Sequence, residues 1–273
     1  MAMVNAQTHK NKRPDTVDLH ARAVNRVINV IRGRLDESIS LKEMAALAYM
    51  SRYHFNRIFR QTTGLPPCRF LTKLRVEAAT QMLLHTDTSV TDICLDVGYT
   101  SLGTFIRRFS DLLGISPARL RTLRESPSGN LLKQLGRESP TATAQARASV
   151  RGRVQAPSSF SGPIFIGLFS TPIPEGTPVA CAINLQPGAY LISPVPPGHY
   201  YVFALGLPWP DSLNDFFRYE SAPRGGGELI TVNHNDVVVC EEICLRAAAL
   251  TDPPVLLNLP GLLNKGHAAS AAA

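Results

Sequence analysis

Apolar positions recur at helical spacing through the first 125 residues and at strand spacing from about residue 154 onward. Val24, Val27, Ile28, Ile31 and Leu35 fall at i, i+3, i+4, i+7 and i+11, which predicts a packing helix from residue 15 or 16 to about 36. Phe55, Ile58 and Phe59 predict a short amphipathic helix, and Phe105, Phe109 and Leu112 predict another. Between them, Phe70, Leu71, Leu74, Ala78 and Met82 mark a longer helix over about 67–85, with Pro67 suited to its first turn. In the second half, apolar runs at 164–169, 178–185, 189–193, 199–207, 228–232 and 236–245 are separated by Pro and Gly turns, the pattern of an antiparallel β-sandwich. In the last run, Val237, Val239, Glu241, Ile243 and Leu245 are expected on one face, with Val238, Cys240, Glu242 and Cys244 on the other. Gly225, Gly226 and Gly227 read as a flexible hairpin between strands.

The helical region contains one pattern twice. SLKEMAALAYMSRYHFNRIFRQTTGLPP runs from Ser40 to Pro67, and SVTDICLDVGYTSLGTFIRRFSDLLGISP runs from Ser89 to Pro117. The copies pair Ser40 with Ser89, Glu43 with Asp92, Ser51 with Ser101, Phe55 with Phe105, Arg57 with Arg107, Gly64 with Gly114 and Pro67 with Pro117. Ser40 with Glu43, and Ser89 with Asp92, predict capping boxes in which the acid reaches back to the first backbone N–H. Ser51 and Ser101 then cap a second helix in each copy. Gly98 supplies a left-handed turn where the first copy has Tyr49, and Gly64 and Gly114 sit at C-terminal caps. Each copy is therefore expected to be a helix-turn-helix unit.

The faces left outside carry Arg52, Tyr53, Asn56, Arg57 and Arg60 in the first copy, and Leu102, Gly103, Thr104, Ile106, Arg107 and Arg108 in the second. Asn pairs bidentately with adenine and Arg with guanine, while Arg further along suits phosphates. The stretch resembles the DNA-binding domain of the AraC/XylS family of bacterial transcription regulators, through SRYHFNRIFRQTTG, LRVEAATQMLL and DICLDVGYTSLGTFIRRFSDLLGISPARLR, over about residues 20–124. That resemblance implies base-reading positions at Tyr53, Asn56 and Arg57, and at Gly103, Thr104 and Arg107. It implies that the long middle helix is a rigid spacer, which would set the two second helices in successive major-groove segments about 34 Å apart. Arg75 and Lys73 on that spacer are candidate phosphate contacts. Leu102 and Gly103 stand where the family often has polar side chains, so the second unit is expected to read few bases and hold mainly backbone. Most family members carry the effector domain before this domain, so the order here is unusual.

Charge agrees. Residues 1–125 hold 19 Lys and Arg against 11 Asp and Glu, a net +8, whereas the remainder holds 9 against 10. The opening MAMVNAQTHKNKRPD lacks the apolar core of a signal peptide, and no apolar stretch reaches spanning length. A cytoplasmic, nucleoid-associated protein with reduced cysteines is expected, without a membrane. The expected order is a disordered arm at 1–15, the tandem helix-turn-helix domain at 16–125, a flexible linker at 126–153, a β-sandwich at 154–262 and a disordered tail at 263–273. The fold class is thus multidomain α and β.

Sharper chemistry finds little footing. GAYLISPVPPGHYYVFALG is similar to a stretch of transthyretin-like, carboxypeptidase-regulatory-type sandwiches, which implies a fold and little about a ligand. Cys240, Cys244 and Cys181, with His199 and His234, lack the tight-turn spacing of a zinc site. Cys68-Arg69 is similar to the acceptor Pro-Cys-His-Arg-Val motif of DNA-repair methyltransferases, but the His is missing. Trp209, Phe216, Phe217 and Tyr219 are expected to plug one end of the sandwich, with a ligand pocket as the other reading. No catalytic residue, cofactor or metal is expected, and the protein is not expected to be an enzyme. The expected partners are double-stranded DNA, then RNA polymerase and an unknown small-molecule effector, with oligomeric state open. In the competing reading the sandwich is the functional centre, as a small-molecule or carbohydrate-binding module or an enzyme, and DNA binding is secondary.

Overall fold

A computed structural model describes residues 14–124, 148–207, 209 and 221–257. The described residues fall into two compact units: 14–108 with 249–254, and 109–124, 148–207, 209 and 221–248 with 255–257. The helices among the described residues are α1 (Pro14–Arg32), α2 (Leu41–Leu47), α3 (Arg52–Thr63), α4 (Pro67–His85), α5 (Val90–Asp96), α6 (Leu102–Leu113) and α7 (Pro117–Arg124). The strands among the described residues are β1 (Ser149–Gln155), β2 (Ile164–Phe169), β3 (Glu175–Gly176), β4 (Ala180–Asn184), β5 (Gly188–Ile192), β6 (Gly198–Gly206), β7 (Arg224–Val232), β8 (Val237–Val239), β9 (Ile243–Cys244) and β10 (Leu256–Leu257). The two-fold pattern in the helical region is reproduced element for element.

The helical core is apolar and largely aromatic. Val24, Val27, Ile28 and Ile31 of α1, Met44 and Ala45 of α2, and Phe55, Ile58 and Phe59 of α3 are buried. The Phe59 ring lies 5.4 Å from Phe55 and 5.4 Å from Phe70 of α4, the latter edge to face. In α6 the buried stripe is Phe105, Phe109 and Leu113. Leu112, the expected third member, is only half-buried, and Leu113 takes the inward place.

The middle helix departs most from its pattern. Lys73 and Glu77 of α4 are buried along with Phe70, Leu71, Leu74, Val76, Ala79, Leu83 and Leu84, so almost every face is covered. Lys73 Nζ lies 3.4 Å from the Pro254 carbonyl oxygen, on the short 249–254 segment that belongs to this unit. Glu77 faces Arg32 at 3.8 Å. Lysine and glutamate are rarely so buried without partners.

In the strand-rich unit, β4-β2-β6-β7 form an antiparallel sheet. In the other large sheet β1 pairs antiparallel with β5, but parallel with both β8 and β9, so the expectation of purely antiparallel pairing does not hold there. Val150, Val154, Tyr190 and Ile192 of that sheet share one apolar cluster with Ile164, Ile166, Leu168, Val202 and Ala204 of the first. The opening strand begins at Ser149, within the stretch whose composition reads as linker. Val150 and Val154 point inward while Arg151 and Arg153 stay exposed. The remainder of the expected linker that precedes Ala148, the N-terminal arm before Pro14 and the tail after Leu257 lie outside the described residues.

Two further readings are corrected. The 236–245 run is two strands, not one. Val237 and Val239 are exposed, Cys240 is buried, and Ile243 and Leu245 are buried, because the successive exposed residues Glu241 and Glu242 shift the alternation by one position. The three glycines are inside β7 rather than in a hairpin. A bulge opposite Val202 and Phe203 brings backbones together, and a Cβ at Gly226 (φ +99°) would lie 2.3 Å from the Val202 carbonyl oxygen.

The turn before α6 shows the same constraint in the helical unit. Gly98 has φ +81°, and a Cβ there would lie 2.2 Å from the Leu35 carbonyl oxygen and 2.6 Å from Arg75 Nη2. Tyr49, at the matching turn, reaches φ 55° with its ring out in solvent and Arg26 over it at 5.7 Å. Gly98→Ala should therefore destabilise the chain by about 2 kcal/mol or more. Urea unfolding followed at 222 nm checks this, and a loss within error of zero would show that the turn relaxes freely.

Candidate nucleic-acid interface

The first helix-turn-helix is set by its caps. Ser40 Oγ accepts from the Glu43 N–H at 3.2 Å, and Glu43 Oε2 accepts from the Ser40 N–H at 2.7 Å. That backbone bond holds the Glu43 carboxyl below the ordinary carboxylate range. In the second unit, Ser89 Oγ accepts from the Asp92 N–H at 3.1 Å, but Asp92 accepts the Ser89 hydroxyl at 2.6 Å rather than its backbone N–H. The expected box is only half formed because aspartate is one methylene shorter than glutamate. Ser51 and Ser101 cap α3 and α6, accepting from the His54 and Thr104 N–H groups at 3.3 and 3.4 Å.

With one face of α3 committed to packing, Arg52, Tyr53, Asn56, Arg57 and Arg60 are all exposed, Tyr53 at 84%. In α6, Gly103, Thr104, Arg107 and Arg108 are exposed, as are Leu102 and Ile106. Every sequence-predicted interface residue thus lies on the outside of one of these two helices. Gly64 (φ 80°) and Gly114 (φ 67°) end them in left-handed caps, their N–H groups donating to Arg60 and Ser110.

One contact at the site was not anticipated. Arg57 Nη2 lies 3.2 Å from His54 Nδ1, and the His54 ring meets His20 of α1 edge to face at 5.5 Å. Guanidinium only donates, so Nδ1 is the acceptor and the proton sits on Nε2. His54 thereby steadies the Arg57 side chain from behind. The i, i+3 spacing of His54 and Arg57 was the available signal. His20, in a separate helix, carried none.

The two spacer-helix candidates are not surface contacts. Lys73 is fully buried as described above. Arg75 Nε donates to the Leu35 carbonyl at 3.0 Å and Nη2 to the Glu37 carbonyl at 2.7 Å, with the guanidinium over the Tyr99 ring at 5.7 Å. Burial lowers its pKa from the usual arginine value.

The sulfur and metal readings find no assembled site. Among the described residues, no three His, Cys, Asp or Glu side chains converge as a metal would require. None of the five cysteines forms a disulfide. Burial pushes the Cys240 thiol up to about 11, with Tyr190 and Glu228 as its polar neighbours. Cys68 is exposed on the first turn of α4. Trp209 is half exposed, and its three expected aromatic companions lie outside the described residues. Among the described residues, no helix is long and apolar enough to cross a membrane.

Comparison with known proteins places this geometry. A family model described as a helix-turn-helix domain matches residues 44–122. The transcriptional activator AarP of Providencia stuartii is 31% identical over 98 residues, 36% of this chain and 73% of that protein. A helix-turn-helix-type transcriptional regulator of Haemophilus influenzae is 42% identical over 81 residues, 30% of this chain and 27% of that protein. The chain spans well under half the length of this second relative. A solved structure described as the DNA-binding domain of the global transcriptional factor AdpA in complex with a target DNA is 34% identical, covering 37% of this chain and 90% of that one, at a TM-score of 0.36. The chain belongs to the AraC/XylS family of helix-turn-helix transcription regulators.

Two outcomes follow from these contacts. Arg75→Met should cost about 3 kcal/mol in urea unfolding, since two carbonyls lose a charged donor. An unchanged midpoint would show that water replaces the guanidinium. At pH 8 a raised pKa leaves little thiolate. Native-state alkylation mapped by mass spectrometry should therefore modify exposed Cys68 and Cys244 readily and spare Cys240. Comparable labelling of Cys240 would contradict its burial.

Proposed function

We propose that this chain is a sequence-specific DNA-binding transcription regulator. In this reading α3 and α6 enter successive major-groove segments of double-stranded DNA. Tyr53, Asn56 and Arg57 read bases from the first helix, and Gly103, Thr104 and Arg107 face bases from the second. Arg52, Arg60 and Arg108 hold phosphates. The strand-rich region, from β1 onward, acts as a β-sandwich accessory module through which an effector, or contact with RNA polymerase, modulates the regulator.

The observation that carries this reading is the register between the two units. At matching positions each helix buries an aromatic stripe and leaves its opposite, arginine-bearing face bare. An ordinary helical bundle has no need to repeat a bare cationic face on two helices of one chain. The surplus positive charge of residues 1–125 supports the same partner. Phosphate contacts supply much of the affinity, so binding should fall steeply with salt.

Selection from random duplex DNA with the full-length protein, sequenced at two salt concentrations, tests the proposal. One motif with two informative blocks about one helical turn apart is expected. Enrichment of no motif at either salt counts against it. Arg57→Ala should relax preference at particular bases by about 1–3 kcal/mol, while Arg60→Ala should weaken all sequences alike. Equal losses by both variants on selected and random DNA would remove that division of roles.

A further inference from the structure

The two exposed helix faces occupy matching positions but differ in chemistry. In the alignment that pairs Phe55 with Phe105 and Arg57 with Arg107, Arg52 corresponds to Leu102, Tyr53 to Gly103 and Asn56 to Ile106. Where α3 offers a guanidinium and a carboxamide, α6 offers two aliphatic side chains. Leu102 and Ile106 sit at i and i+4, one above the other on one face. They are 38% and 37% exposed, while Phe105 and Phe109 on the opposite side are fully buried and do the packing. Folding of α6 therefore does not account for them.

Gly103 follows Leu102 in sequence and is exposed beside the pair. A Cβ built there would meet nothing within 4 Å, and its backbone is not in the left-handed region. Neither packing nor a turn requires glycine at this position, and glycine weakens a helix relative to alanine. What its small size provides is close approach of an outside group to the helix. Arg107 and Arg108 stand exposed immediately beyond, a charge complement to a polyanionic partner. In the major groove, the one base-edge group that an aliphatic side chain recognises is the C5-methyl of thymine.

We infer that α6 reads its DNA segment by aliphatic contact with thymine C5-methyl groups, made by Leu102 and Ile106 over the gap at Gly103. This rests on the proposal that α3 and α6 enter the major groove. It replaces the expectation that the second unit reads few bases and holds mainly backbone. The regulator then reads one block through hydrogen bonds and the other through methyl contacts beside Arg107.

Deoxyuridine removes the methyl and keeps the pairing edge, so it isolates the contact. Thymines of the selected motif would be replaced one at a time by deoxyuridine, and the affinity of the full-length protein measured for each duplex. The block assigned to α6 is the one whose preference shifts in Arg107→Ala and not in Arg57→Ala. One or two replacements in that block should each weaken binding about fourfold, the worth of one buried methyl-sized group. Ile106→Ala and Leu102→Ala, both at exposed sites, should abolish that sensitivity while leaving the response of the α3 block unchanged. Ile106→Asn, which copies the chemistry at Asn56, should move preference in the α6 block toward adenine. Gly103→Ala should keep or raise the thermal midpoint and yet weaken binding. If the motif is bound and every deoxyuridine duplex of the α6 block binds as tightly as the parent, the methyl contact is overturned and the regulator reading stands. If no motif is bound, both fall.

Discussion

One guanidinium ties the helical unit together. Arg75 extends from α4 to the carbonyls of Leu35 and Glu37 in the loop between α1 and α2, and lies over Tyr99 at the turn that opens α6. The same point is where Gly98 must have no side chain, because the Leu35 carbonyl and the Arg75 tip fill the space. The loop that leads into the first helix-turn-helix, the connecting helix and the turn of the second thus meet at a single charged group. The guanidinium gives the Leu35 and Glu37 carbonyls a charged donor.

Around that junction the two helix-turn-helix units use the same caps for different ends. The serines at 40, 51, 89 and 101 start each helix, and Gly64 and Gly114 end the second helix of each unit. These positions fix where each helix begins and therefore which side chains face out. The outer faces then diverge: hydrogen-bonding residues on α3, with Arg57 steadied by His54, and aliphatic residues on α6. Duplication preserves the frame because the frame is made of caps and buried rings. The exposed positions are under no such constraint and are free to carry different chemistry.

The strand-rich unit is organised by inward-facing aliphatics of two sheets that share one cluster. Its first strand draws on a stretch of Ser, Arg and Gly in which only Val150 and Val154 need to be apolar. Tyr200 ends the Pro-Pro-Gly turn by placing its hydroxyl 3.1 and 3.2 Å from the Pro196 and Pro197 carbonyls. The outer face of the β5-β1-β8 sheet is mixed, with Leu191 and Val239 flanking Arg151.

The sequence by itself determined the helical unit's elements, caps, turns and exposed residues, because capping and amphipathic periodicity act over three or four residues and are written locally. It also carried the alternation of the longer strands. Only the tertiary structure decided the rest. Lys73 and Arg75 look like surface cations on a helix, and their partners at Pro254, Leu35 and Glu37 are distant in the chain. The 225–227 glycines look like a hairpin until the backbone at Val202 approaches them. The 236–245 run alternates correctly until Glu241 and Glu242 shift it. For Lys73, Arg75 and the three glycines a long-range contact overrode a local preference, and the energy of such a contact is set by groups that only folding brings together.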